Sequence, residues 1–180
     1  MKRIFIASFL LLSAICINAQ TFIKFNGLYY ALGIINTSIE TKMSDKFTFN
    51  TDAVFSPWKS INRNPFLMGS LIPEVRYYPS GSFNGFYTGA YAGTHIFKMT
   101  KWNYINKNKY QKGWGYSVGL SFGYEYTIND RWMLDVYAGY GYQHSRYKGY
   151  YKKTKETYIG WNGSAEWIPY KIGVAFSYRL

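Results

Sequence analysis

The sequence predicts an all-β chain closed into an eight-stranded antiparallel up-and-down barrel, and three observations predict it. The 180 residues hold 20 Tyr, 17 Gly, 13 Phe and 6 Trp, and after the N-terminal segment no apolar run reaches the length of a spanning helix. That composition favours strands and excludes a helical membrane protein. Period-two alternation recurs in eight segments, an even number suited to hairpins that close on themselves. The alternation also sets large residues against small ones. Tyr116, Val118, Leu120, Phe122, Tyr124, Tyr126 and Ile128 share one face, while Ser117, Gly119, Ser121, Gly123, Glu125 and Thr127 share the other. A soluble barrel faces water with long polar groups, whereas Gly and Ser with occasional large polar residues fill a narrow eight-stranded interior. The large face is therefore expected to meet lipid, and the barrel to be transmembrane.

The segment 1–19 reads as a signal peptide, leaving 20–180 as the barrel. Lys2 and Arg3 precede the apolar run Ile4 to Ile17, and Ala19 offers a small residue for cleavage. Cys16, the only cysteine, lies inside that segment, so the mature chain is expected to form neither a disulfide nor a thiolate metal site. Lipidation at Cys16 is disfavoured because Ile15 is bulkier than such cleavage sites accept.

Strands are expected at Phe22 to Tyr30, Ile34 to Lys42, Phe47 to Phe55, Leu67 to Tyr78, Asn84 to Phe97, Trp114 to Ile128, Trp132 to Tyr147 and Ile168 to Leu180. Connections after the second, fourth and sixth are short. Those after the third, fifth and seventh are long, at SPWKSINRNP, KMTKWNYINKNKYQK and KGYYKKTKETYIGWNGSAEW. Short turns on one rim and long loops on the other place both termini in the periplasm and the long loops outside the cell. Trp132 at one end of its strand, with Tyr140 and Tyr142 towards the other, stand where aromatic girdles would lie.

The same alternation predicts a charged lumen. Lys24, Lys42, Arg76, Lys171 and Arg179 should face inward with Glu40, Asp52, Glu74, Glu125 and Asp135, five bases against five acids. Unpaired charges in a dry interior are costly, so this balance implies one hydrogen-bonded network that seals the barrel. A gated pore or proton path is the alternative.

The order and spacing of several blocks resemble a known family. NTSIETKMSDKFTFNTDAVFSPW, LIPEVRYY followed by FNGFYTGAYAG, GWGYSVGLSFGYEYTINDRWMLDVYAGYGY and the ending PYKIGVAFSY are similar to the Bacteroidetes outer-membrane barrels of domain-of-unknown-function family 3575. The resemblance implies a signal-bearing eight-stranded outer-membrane barrel with no assigned reaction, cofactor or catalytic residue. Leu180 stands where such barrels usually end in Phe for recognition by the outer-membrane assembly machinery.

For chemistry, only His95 and His144 supply imidazole, and no spacing reads as a zinc or calcium site, so no metal and no cofactor is expected. His144-Ser145 would suit a lipid A modifying enzyme of deacylase or acyltransferase type, but neighbours in a strand point to opposite faces. A non-catalytic barrel is therefore the expectation. His95 is expected inside, hydrogen-bonded among Tyr87 and Tyr91.

Of the 21 Lys and Arg against 9 Asp and Glu, removal of Lys2 and Arg3 leaves a net charge of +10. Much of this charge falls in the predicted loops as Lys98, Lys101, Lys107, Lys109, Lys112, Arg146, Lys148, Lys152, Lys153 and Lys155, interleaved with Trp102 and several Tyr. Basic residues with aromatics suit nucleic acid, but outside a cell lipopolysaccharide phosphates, acidic polysaccharide or a host polyanion are the expected partners, and no nucleic acid is expected. Plain solvation of the loops is the alternative. The function expected is structural or surface-binding, accessory to a surface assembly.

Overall fold

The computed structural model describes residues 20–61, 64–101 and 107–180. The segment read as a signal peptide and Trp102 lie outside them. Eight antiparallel strands follow one another round a ring, each hydrogen-bonded to its neighbours in sequence, and β1 pairs with β8 to close it. They are β1 Thr21–Asn26, β2 Ile35–Lys42, β3 Phe47–Ile61, β4 Asn64–Tyr77, β5 Gly85–Met99, β6 Lys109–Thr127, β7 Trp132–Tyr151 and β8 Thr157–Arg179.

Two differences from the sequence expectation have physical causes. The predicted first strand stops at Asn26, because the short helix α1, Gly27–Ala31, replaces its second half. The Asn26 side chain accepts from the Leu28 amide at 3.1 Å, the usual capping bond at a helix start. Gly33, at φ 66°, turns the chain back, and Trp58 Nε1 holds this turn by donating to the Leu32 carbonyl at 3.1 Å. The second difference concerns the long loops. Most of their described residues are strand, so β5–β6 and β7–β8 are tall hairpin arms, and β8 continues to Thr157, far beyond the five residues that pair with β1.

The opposite rim is compact. Asn129 accepts from the Arg131 and Trp132 amides at 2.9 Å each, tightening the β6–β7 turn. The β4–β5 turn folds Phe83 under the barrel with φ 64°, an unusual conformation for a bulky residue, between the left-handed glycines Gly81 and Gly85. Its ring sits 4.7 Å from that of Phe22, and with Met133 they form a buried apolar floor.

Alternation holds round the ring. From that floor up to the level of Lys59, Lys98, Lys112 and Arg146, the outward positions of every strand hold no Lys, Arg, Asp or Glu. They include Phe49, Leu71, Phe86, Ile96, Leu120, Phe122, Val136 and Ile172, all exposed. Inward, glycines make room for large neighbours: a Cβ at Gly123 would strike the Tyr87 ring, and one at Gly173 the Tyr137 ring. The interior is thus filled by side chains, as a barrel of this strand number requires.

Candidate functional site

Among the described residues the lumen holds one ion cluster. Lys24 Nζ lies 2.6 Å from Glu40 and 2.9 Å from Asp135 and is ion-paired with Glu125. Arg76 meets Glu40 at 2.7 Å, Glu74 at 2.9 Å and Asp135 at 2.9 Å, while its guanidinium carbon stands 4.4 Å from the centre of the Tyr87 ring. Lys171 joins Asp52 at 2.5 Å and Glu74 at 2.7 Å. All eight residues are buried. Alternation explains their placement, since each occupies an inward position of a different strand or lies two residues from another on the same strand.

Lys42 and Arg179 do not join this cluster, which corrects the expected balance of five against five. Lys42 lies at the rim and pairs with Asp45 at 2.9 Å in the β2–β3 turn, where the ammonium holds the exposed Asp45 carboxyl below its ordinary range. Arg179 ends β8 and is exposed. Three cations therefore meet five carboxylates. Neutral donors add to three of the carboxylates: Tyr78 to Glu40 at 2.8 Å, Tyr87 to Asp135 at 2.9 Å, Asn50 to Glu74 at 3.3 Å, with Thr48 on Glu40 and Ser121 on Glu74, while Glu125 Oε2 is buried with no hydrogen-bond partner among the described residues. Sequence reading missed these donors because a hydroxyl at an inward position carries no signal of the acid it will meet.

Glu40, Glu125 and Asp135 bring three carboxylate oxygens within 4.8 Å of one another, a spacing that would suit a metal ion. Lys24 Nζ already stands among these three groups. The ammonium thus fills the place of a divalent ion, and the chemistry of the cluster is that of a lock between strands.

Above it, a bulge in β8 between the pairs Gly139/Lys171 and Tyr140/Pro169 leaves Tyr170 without a partner in β7 and lets it turn inward. Its hydroxyl lies 3.0 Å from His95 Nδ1, while His95 Nε2 lies 3.4 Å from Ser145 Oγ, which accepts from Gln143 at 2.9 Å. His95 is buried, as expected from its register. His144 and Ser145 point to opposite faces: Ser145 is buried, and the His144 ring stacks outside on Tyr116 at 5.5 Å. A cavity of about 70 Å³ beneath α1 is lined by Tyr29, Asp52, Tyr170 and Lys171 among others, room for a few waters.

The basic residues separate into two groups. Lys98, Lys112, Lys148 and Arg146 project from the outer wall of the tall arms. Lys98 lies over Tyr110 at 5.1 Å, Lys148 over Trp161 at 5.0 Å, and Tyr110 stacks on Tyr150 at 5.3 Å. The other group belongs to the arm ends. Lys107, Lys153 and Lys155 are exposed, Lys109 lies 4.5 Å over Tyr158, Lys152 bonds Asn64, and Lys101 pairs with Glu166 at 2.5 Å.

Neither the curated proteins nor the solved structures contain a significant match to this chain. The profile described as "Protein of unknown function (DUF3575)" matches residues 4–180, so the chain belongs to that family.

Proposed function

We propose that this chain is a small outer-membrane barrel, non-catalytic, with both termini in the periplasm, whose basic aromatic outer end binds anionic surface material in support of a surface assembly. The observation that carries the reading is the outward belt without a charged residue. Such a belt is unfavourable in water and is what hydrocarbon requires. The closed backbone ladder meets the second requirement, since lipid supplies no hydrogen bonds to an open edge. Recognition by the assembly machinery would use β8, where Ile172, Val174, Phe176 and Tyr178 alternate on the outward face.

The test is refolding into lipid vesicles, followed by heat-modifiable migration on gels. The native chain should fold only with lipid or detergent, and Leu120→Arg, placed mid-strand on the outward face, should cost about 2–4 kcal/mol in lipid. A chain that folds in plain buffer, or is indifferent to that arginine in lipid, refutes the membrane reading. Binding of heparin by the refolded barrel should weaken steeply as salt rises.

A further inference from the structure

Three lysines stand shoulder to shoulder on the outer wall. The register pairs Lys98 of β5 with Lys112 of β6, and Lys112 with Lys148 of β7, so the three form one row across adjacent strands. One step lower, Ile96, Trp114 and Arg146 form the next outward row. Like charges directly opposite one another destabilise a strand pair. Among the described residues no carboxylate pairs with any of these four bases. Strand spacing makes the row about 10 Å wide, the width of a headgroup carrying more than one negative group.

Its height selects the ligand. The row lies immediately above the uncharged belt, and it faces sideways from the wall instead of up from the arm ends. A soluble polymer meets the arm ends first, where Lys107, Lys153 and Lys155 are exposed. A molecule anchored in the surrounding leaflet meets the row first.

Resting on the membrane reading above, we propose that Lys98, Lys112, Lys148 and Arg146 form a wall site for the phosphate groups of a lipid in the outer leaflet. Its acyl chains run down the face beginning at Ile96, Trp114 and Tyr116. The lysine row is then neutralised by the lipid, and Trp161, already against Lys148, borders the headgroup. This narrows the general affinity for anions to one chemistry and one place.

The experiment uses the full chain refolded in neutral detergent and offers it lipid A with two phosphates, the same lipid without phosphates, or inorganic phosphate. Bound lipid is read by native mass spectrometry and barrel closure by heat-modifiable migration. Replacing Lys98, Lys112 and Lys148 by Gln should weaken retention of the phosphorylated lipid by at least about tenfold, given the contribution of each basic residue beside an anionic membrane. The matched replacement of Lys107, Lys153 and Lys155 should change it by less than about threefold, since these exposed residues stand at the arm ends above the row, where salt screens their charge within about 8–10 Å. Millimolar inorganic phosphate should not displace the lipid, because it lacks the anchored chains. Without lipid, the first triple variant should resist heating at least as well as the native chain, because its cross-strand repulsion is gone. Should that variant fail to close, Lys112→Gln alone carries the same comparison. Equal loss in both triple variants, equal retention of the lipid lacking phosphates, or full displacement by inorganic phosphate overturns the wall site. Failure of the native chain to show heat-modifiable folding in detergent instead refutes the membrane reading on which it rests.

Discussion

The inner and outer walls of this barrel contain the same local arrangement with opposite resolutions. Inside, Glu125 of β6 stands directly opposite Asp135 of β7, two acids in one register pair. Lys24 from β1 bonds both and Arg76 from β4 bonds Asp135, so the repulsion becomes attraction between strands far apart in sequence. Outside, Lys98, Lys112 and Lys148 repeat like-charge pairing, yet among the described residues no acid pairs with them. The difference teaches where the counter-charge comes from. The cluster in the lumen is buried and meets its counter-charge within the chain, whereas the outer wall is open to its surroundings.

The largest way to break this comparison is to remove an internal counter-charge. Arg76→Met leaves Glu40, Glu74 and Asp135 short of a partner and should cost about 3–5 kcal/mol, as loss of one member of a buried ion pair does. Urea unfolding in lipid, followed by tryptophan fluorescence, should show the loss directly. An unchanged midpoint would mean that the cluster is solvated and the lumen open.

A smaller effect tests whether tight packing excludes that solvent. Gly123→Ala places a methyl group against the Tyr87 ring, whose hydroxyl donates to Asp135, and should cost about 1–3 kcal/mol by overpacking. The same unfolding measurement applies. No change would show that Tyr87 can move and that the cluster tolerates its departure.

The smallest effect is expected at the rim. Arg179 has the register of an inward residue but is exposed, so Arg179→Met should shift stability by no more than about 0.5 kcal/mol. A loss as large as that of Arg76→Met would place Arg179 in the cluster after all and bring it to four cations against five carboxylates.

Much of this was legible in the sequence wherever the two faces of a strand differ. Leu120 against Ser121, or Val136 against Asp135, gives the side of the wall at once, and the inward acids with Lys24, Arg76 and Lys171 follow by counting in twos. Alternation fades where both faces are polar, so Lys109 to Gly113 and Thr157 to Trp167 read as loop although they are strand. A single strand also carries no information about its neighbour's register. The row of Lys98, Lys112 and Lys148 exists only once three strands are aligned. Tyr170 was hidden for a related reason, since its inward turn depends on a bulge against β7. The helix α1 escaped because Leu28 and Tyr30 alternate with Tyr29 and Ala31 as a strand would.

The seam between β1 and β8 has a consequence for the order of folding. It consists of five register pairs and joins residues from opposite ends of the chain, such as Phe22 with Arg179. The β6–β7 pair, by contrast, aligns nineteen residues joined by a tight turn. Loop-closure entropy delays contacts of long sequence separation, so the β6–β7 hairpin should form early and the seam last. Until then Glu125 and Asp135 face each other without Lys24, which arrives only when β1 docks. An open sheet therefore keeps an electrostatic penalty that the finished ring removes, and the last strand to join brings the charge that makes closing favourable.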